Sequence, residues 1–394
     1  MTVPTRQNGD VIVHVFAKTD VGRTREHNED TFLVADLTEM KASLHPEVRT
    51  HRPGSRGSLF MVADGMGGAA AGEIASAMAT DVVLKELEKR WRQSPSEESE
   101  TFARALKAAA ETANSKIHRY AADHPENRGM GTTATIAGFL GETLYLVQVG
   151  DSRAYLVRDG TARQITKDQS LMQRLVEAGE LTPEEAEVSE RLNIILQALG
   201  PEPLVKVDLT HQQVRRNDVL VLCSDGLSGQ MRADDIARIV TGTDDLAIAC
   251  RRMIDLANEN GGPDNITVVA VRFDGSGLEI AEGAESVGHQ VYTSEADQRV
   301  TMPVDAKVIP PADEQIVSNA GPGPMAKIAG RRQTPDTPYQ APTIAALSSG
   351  PLAADEGEQQ PGRGRISERT LRLVFGIIGT LVGVFILYRL TRDR

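Results

Sequence analysis

Two long helical patterns, near residues 70–90 and 100–122, follow SLFMVAD (58–64) in succession with no strand between them. A βαβ wind alternates strands and helices singly, so a helix pair set among hairpin-spaced strands points away from a doubly wound parallel sheet. The remaining strand-like segments are VIVHVF (11–16), TTATIAGFL (132–140), TLYLVQVGD (143–151), RAYLVRDG (153–160), VKVDL (205–209), DVLVLCSD (218–225) and NITVVAVRF (265–273). Each is rich in β-branched residues and bounded by turn formers. The pattern predicts an α+β layered fold with mainly antiparallel sheets. DQSLMQRLVEAGELTPEEAE reads as two short helices broken at Leu181-Thr182-Pro183, with Thr182 as N-cap and Pro183 at the first helical position.

Past Phe273 the composition changes to Pro, Gly, Ala, Glu and Gln with almost no aromatic residues, as in AGPGPMAKIAG and GEQQPGRGR. Such a segment buries too little apolar surface to offset its ordering entropy, so 275–368 is expected to be a disordered linker after a folded unit spanning 10–274. The run RLVFGIIGTLVGVFILYRL differs again, since Leu373 to Tyr388 carries no charge and is bracketed by Arg372 and Arg389. At ~1.5 Å per residue that core is shorter than a ~30 Å hydrocarbon layer, but Leu371, Leu390 and snorkelling arginines extend it. Residues 371–390 are therefore expected to form one transmembrane helix. MTVPTRQNGD lacks the apolar core of a secretory signal, so the folded unit is expected on the cytoplasmic side of the cytoplasmic membrane. The net charge of −12 argues against nucleic-acid binding. Cys223 and Cys250 lie in apolar contexts without zinc-ligand spacing and read as buried thiols.

The chemistry concentrates at strand ends. FMVADGMGGAAAGEIAS (60–76) admits three readings: a hairpin at Asp64-Gly65, a glycine-rich phosphate cradle, or a metal ligand carried on a strand end. The cradle reading is the weakest, because the stretch lacks the Lys-Ser/Thr of a P-loop and the spacing of the dinucleotide fingerprint. Asp151 ends LYLVQVGD, Asp225 ends VLVLCSD, Asp264 opens the last strand in GGPDNIT, and Glu29-Asp30 precede TFLVAD. One such aspartate is ordinary turn chemistry. Acidic residues from five such turns brought to one sheet edge would repel strongly unless a cation lay between them. Oxygen donors without convergent His or Cys point to Mg²⁺ or Mn²⁺. Arg25, four residues before Glu29, offers a planar donor pair for a phosphate.

TDVGRTREHNED, VADGMGGAAAGEIAS, GMGTTAT, VGDSRAYLVRDG, LCSDGL and GGPDNITVVAV occur in an order and spacing that resemble the bacterial metal-dependent (type 2C, PPM) Ser/Thr protein phosphatases, over roughly residues 10 to 274. The resemblance implies a four-layer α-β-β-α sandwich, two antiparallel β-sheets flanked by helix pairs, with metals in a channel at one end. It implies that Asp64 bridges two Mn²⁺ or Mg²⁺ ions and that the Gly65 carbonyl binds one of them. Asp225 and Asp264 would complete the first ion's shell, Glu29 would hold the second, and Asp151 would help bind a third, weaker ion. Arg25 would clamp the phosphate, while Asp30 and Asn265 would support the ligands. The implied activity is hydrolysis of phosphoserine and phosphothreonine in proteins by a hydroxide held between the ions. The partners would be phosphoproteins, a cognate Ser/Thr kinase and its substrates among them.

As in the bacterial members, Met66 stands where eukaryotic members have a histidine, leaving no side-chain proton donor there for the leaving group. The chain departs from the family pattern in two places. LTEMKASLHPEVRTHRPGSRG (37–57) is long and basic, with His45, Arg49, His51, Arg52 and Arg56, and reads as a solvated loop or a docking element for acidic partners. Asp168-Gln169-Ser170 replaces the Asp-His-Ser common in relatives, and Ser189-Glu190-Arg191-Leu192-Asn193 replaces a His-Pro-x-Arg-Asn run. The alternative functions are a pseudophosphatase that binds phosphoproteins, which would predict missing ligands, and a partner-switching regulator phosphatase. The linker pairs Thr334-Pro335 and Thr337-Pro338 are candidate phosphorylation sites.

Overall fold

The computed structural model describes residues 10–47, 49–67, 70–182, 185–186, 194–282 and 287–293. The apolar segment 371–390, most of the expected linker and residues 187–193 lie outside them. Among the described residues no helix is long and apolar enough to cross a membrane.

From the N-terminus, β1 (Ile12–Asp20), β2 (Thr31–Asp36), β3 (Lys41–Ser43), β4 (Arg49–His51), β5 (Ser58–Ala63) and the short β6 (Gly65–Met66) precede the helix pair α1 (Ala71–Leu87) and α2 (Ser99–Asp123). Then come β7 (Gly131–Thr132), β8 (Ala134–Leu140), β9 (Thr143–Val149), β10 (Arg153–Arg158) and β11 (Thr161–Gln164). Next are α3 (Leu171–Glu177), β12 (Asp208–Gln213), β13 (Val219–Cys223) and a short α4 (Asp225–Ser228). The helices α5 (Ala233–Thr241) and α6 (Leu246–Glu259) lead to β14 (Ile266–Asp274). One sheet has the order β11-β10-β13-β14-β1-β4, the other β12-β9-β8-β5-β2-β3, and every pairing is antiparallel.

Period-two alternation explains the layering, since successive side chains of a strand point to opposite faces. In β5, Phe60 and Val62 join the apolar layer between the sheets, while Leu59, Met61 and Ala63 pack under α1 and α2. In β14, Val269, Val271 and Phe273 face the inter-sheet layer, and Ile266, Val268 and Ala270 meet α5 and α6. Central strands covered on both faces are unbroken apolar runs in sequence, although the sheets are antiparallel. The observed order of layers is helix pair, sheet, sheet, helix pair.

The basic stretch 37–57 serves the fold. Its β3 forms the edge of one sheet beside β2 and its β4 the edge of the other beside β1, so the segment laces the two sheets together. Arg56 donates to the carbonyls of Trp91, Ser94 and Ser96, lies over the Trp91 ring, and accepts the indole N–H on its own carbonyl. Arg49 pairs with Glu47 and Arg52 with Asp10.

Packing continues beyond Asp274, where composition placed the start of a linker. Leu278 is buried in the inter-sheet layer. Val291 bridges to Thr210 on edge strand β12, the His211 N–H donates to the Gln290 carbonyl, and the Tyr292 ring meets Tyr145 and His211 edge-on. Both cysteines are buried and free, and the Thr182 N-cap is present, its hydroxyl accepting from the Glu185 N–H while the Glu185 carboxylate accepts from the Thr182 N–H.

Candidate metal centre

Asp64 leaves the end of β5 with its backbone pinned. Its N–H donates to the Thr133 hydroxyl at 3.0 Å, and its carbonyl accepts from the Thr133 N–H at 2.8 Å and the Thr132 hydroxyl at 2.9 Å. The Thr133 hydroxyl continues to Ser152 at 2.7 Å, beside Asp151. The GTTAT and GDSR stretches therefore join two carboxylates by one short hydrogen-bonded path.

Glycine is required at the next step. A Cβ on Gly65 would lie 2.2 Å from the Gly72 carbonyl oxygen and 2.5 Å from that of Glu29, and the Gly65 N–H donates to the Glu29 carbonyl. A Cβ on Gly72 would fall 2.7 Å from Glu29 Oε1. The start of α1 thus leaves room for the Glu29 carboxylate, whose Oε1 is buried without a hydrogen-bond partner.

On the other sheet, β13 delivers Asp225 and β14 begins just after Asp264. A Cβ on Gly226 would strike the Asn265 carbonyl at 2.0 Å, so the two strand ends meet here through bare backbone. Asp225 Oδ1 is also buried and unpartnered. Asp264 accepts from Arg25 at 2.7 Å and from the Asn265 N–H at 2.8 Å. The Asn265 side chain turns the other way: it accepts from the Glu29 N–H and donates to the Val21 and His27 carbonyls, so it holds the loop that carries Arg25 and Glu29. Asp30 is buried and accepts from Ser224 at 2.8 Å and Thr267 at 2.7 Å, with its Oδ1 unpartnered.

The electrostatics follow from burial of like charges. Burial pushes the Asp64 carboxyl well above the ordinary carboxylate range, and Asp30, Asp225, Asp151 and Asp264 add repulsion in that order. Asp30 and Asp151 are each raised to about 7, chiefly by burial, with Asp225 adding to both. Asp225 is raised by burial and by Asp264, and Glu29 by burial against the pull of Arg25. Neighbouring carboxylates that cannot all ionise, with buried oxygens lacking donors, suit a hard divalent cation. Among the described residues no three such side chains enclose an ion by themselves. The donors instead come from the ends of both sheets, which suits an ion that keeps much of its water shell. A separate cavity of about 610 Å³, lined by His14, Asp159, Asp244 and Asp274, sits by the far end of β14 and shares no residue with this cluster.

Several contributors escape sequence reasoning. Gly72 acts by leaving space, Thr133 and Ser152 act through their hydroxyls, and only the small-residue character of the α1 start hints at the first. Ser76, whose hydroxyl donates to the Glu29 carbonyl at 2.6 Å, is likewise silent in sequence.

A protein phosphatase 2C family model matches residues 48–262. The chain is 36% identical over 263 residues to the serine/threonine phosphatase Stp of Listeria welshimeri, covering 66% of this chain and 95% of that protein. The crystal structure of the Mycobacterium tuberculosis serine/threonine phosphatase PstP/Ppp is similar at a TM-score of 0.55 and 36% identity, over 68% of this chain and 99% of that one. A crystal structure of the PstP catalytic domain in complex with two manganese ions is similar at a TM-score of 0.53 and 36% identity, over 67% and 99% of the respective chains.

The raised carboxyls fix the sign of the pH dependence. Folded Asp30 and Asp151 keep protons up to about pH 7, whereas the unfolded chain releases them near 3.8. Between those values the folded state holds more protons, so stability without divalent ions falls as pH rises. Melts of chelator-stripped protein should show the melting temperature declining from pH 5 to 7.5, and excess Mn²⁺ should restore most of the loss. A stripped protein with a flat profile would contradict a cluster held in repulsion.

Proposed function

The chain belongs to the protein phosphatase 2C family, and on that premise we propose that it hydrolyses phosphoserine and phosphothreonine in proteins with the help of divalent metal ions. The observation that carries this reading is the convergence of Asp64, Asp225, Asp264 and Glu29, with two buried oxygens lacking donors, at one end of the sandwich. The two manganese ions of the similar PstP catalytic domain support it. Asp64 and the Gly65 carbonyl would hold both core ions between them, Asp225 and Asp264 would complete one shell, and Glu29 the other. Asp151 would contribute to a third, weaker site. When bound, such ions supply Lewis-acid neutralisation of phosphoryl charge and lower the pKa of water at the site.

The chain's own residues do the rest. Arg25 is 47% exposed, tied at one nitrogen to Asp264, and its planar fork suits phosphoryl oxygens. Asn265 fixes the loop behind it, accepting from the Glu29 N–H and donating to the His27 carbonyl. Met66 pairs with Gly131 and carries a thioether with no proton to give, so the leaving alkoxide takes its proton from elsewhere than this side chain. Every ligand position that the family pattern requires carries its acid, which disfavours a phosphoprotein-binding pseudoenzyme.

We further infer that residues 371–390 anchor the enzyme in the cytoplasmic membrane with its catalytic unit facing the cytoplasm, where it reverses a bacterial Ser/Thr kinase. The support is the uncharged run from Leu373 to Tyr388 between two arginines. Fractionation of cells should place the full chain in membranes and a chain ending before 371 in the soluble fraction. Recovery of both in the soluble fraction would refute the anchor.

Mn²⁺-dependent phosphate release from a phosphothreonine peptide tests the activity. Asp64→Asn and Asp225→Asn should fall to background, and Arg25→Ala should lose about 100-fold in kcat/KM. Wild-type rates in either aspartate variant would sink the proposal. The same assay on membrane-extracted phosphoproteins should release label from the kinase's substrates; label that persists there would separate the activity from its assigned partner.

A further inference from the structure

Asp151 sits in the turn between β9 and β10, directly after Gly150, whose φ of +100° places it in the region that favours glycine. That turn is gripped from outside. The Gly150 N–H donates to Gln169 Oε1 at 3.0 Å, and the Gly150 carbonyl accepts from the Gln169 backbone N–H at 2.9 Å. The Gln169 Nε2 donates in turn to Asp208 Oδ2 at 2.9 Å and to the Lys206 carbonyl at 3.2 Å. One residue earlier, Asp168 accepts a forked pair of bonds from Arg153, two residues after Asp151. Residues 168 and 169 therefore hold the chain on both sides of Asp151.

The residue type matters. Holding Gly150 needs an acceptor, and holding Asp208 and the Lys206 carbonyl needs two donor hydrogens on the same side chain. A glutamine amide supplies both at once without a charge. A neutral imidazole, the group at this place in the family pattern, supplies one donor and one acceptor.

We propose that Gln169 is the positioning residue for Asp151: by clamping Gly150 against Asp208 it sets the direction of the Asp151 carboxylate and so the affinity of the third ion site. The inference rests on the reading that Asp151 serves such a site. It also links the metal turn to the segment after it, because the Gln169 carbonyl accepts from the Leu196 N–H and Ser170 caps α3.

The test is Mn²⁺ titration of the full-length protein, with unbound Mn²⁺ read by electron paramagnetic resonance. Wild type should bind two ions tightly and one weakly. Gln169→Ala should weaken only the weak site, by about 10- to 100-fold, the usual effect of removing a group that orients a ligand. Gln169→Glu should weaken it similarly, because a carboxylate there faces Asp208. Adding Asp208→Asn supplies a donor to that carboxylate and should recover part of the lost binding, the Lys206 carbonyl still lacking its donor, a recovery that general loosening of the fold would not produce. If wild type binds only two ions, the third-site reading fails and this inference with it. If wild type binds three and Gln169→Ala leaves the weak site unchanged, or weakens all three alike, Gln169 is not a positioning residue. Should the alanine variant fail to fold, the Gln169→Glu pair decides: a double variant no better than Gln169→Glu alone overturns the proposal.

Discussion

Mutual repulsion among carboxylates at one end of the sandwich is the constraint on which the rest of this structure depends. Asp64, Asp30, Asp225, Asp151 and Asp264 reach that end from both sheets; burial raises the cost of ionising the first four, and the Asp264 charge adds repulsion on Asp64, Asp30 and Asp225. Such a cluster persists only if the backbone around it is fixed more firmly than the charges can push it apart. The Thr132 and Thr133 bonds to Asp64, the Asn265 bonds to the Arg25–Glu29 loop and the bare-backbone contact at Gly226 supply that fixity.

The sandwich makes this possible because its central strands are anchored on both faces. The apolar layer between the sheets and the two layers under the helix pairs leave β5, β13 and β14 no freedom to slip, and a one-residue slip would turn each strand's inner face outward. Rigid strands deliver carboxylates, and the short segments beyond their ends bend around them. Edges are managed differently. The stretch 37–57 lines one edge of each sheet, and Gln290 to Tyr292 lie along β12, the strand whose Asp208 receives the Gln169 amide.

What was legible in the sequence follows the same division. Asp64, Asp225 and Asp264 stand out because each sits where an apolar run meets a turn, and the helix pair after SLFMVAD announces the layered fold. The edge strands β3 and β4 carry no apolar alternation, since an edge strand with exposed faces needs none, so 37–57 reads as loop or docking element. The basic residues there mislead for a related reason: Arg56 is spent on three carbonyls and an indole ring, partners that lie far away in sequence. Asn265 sits beside Asp264 in sequence yet its side chain serves Glu29, a pairing visible only once β14 lies next to the residue 21–29 loop. Leu278 and Tyr292 show that a polar, glycine-rich composition still allows single apolar residues to dock.

The central claim is that these carboxylates converge in order to hold divalent cations. Anomalous diffraction at the manganese edge, from crystals grown with Mn²⁺, tests it most directly. The account predicts two strong peaks flanking Asp64, with Asp225 and Asp264 on one side and Glu29 on the other. A cluster without anomalous density at saturating Mn²⁺, or peaks bound elsewhere with Asp64 and Asp225 uninvolved, would contradict it.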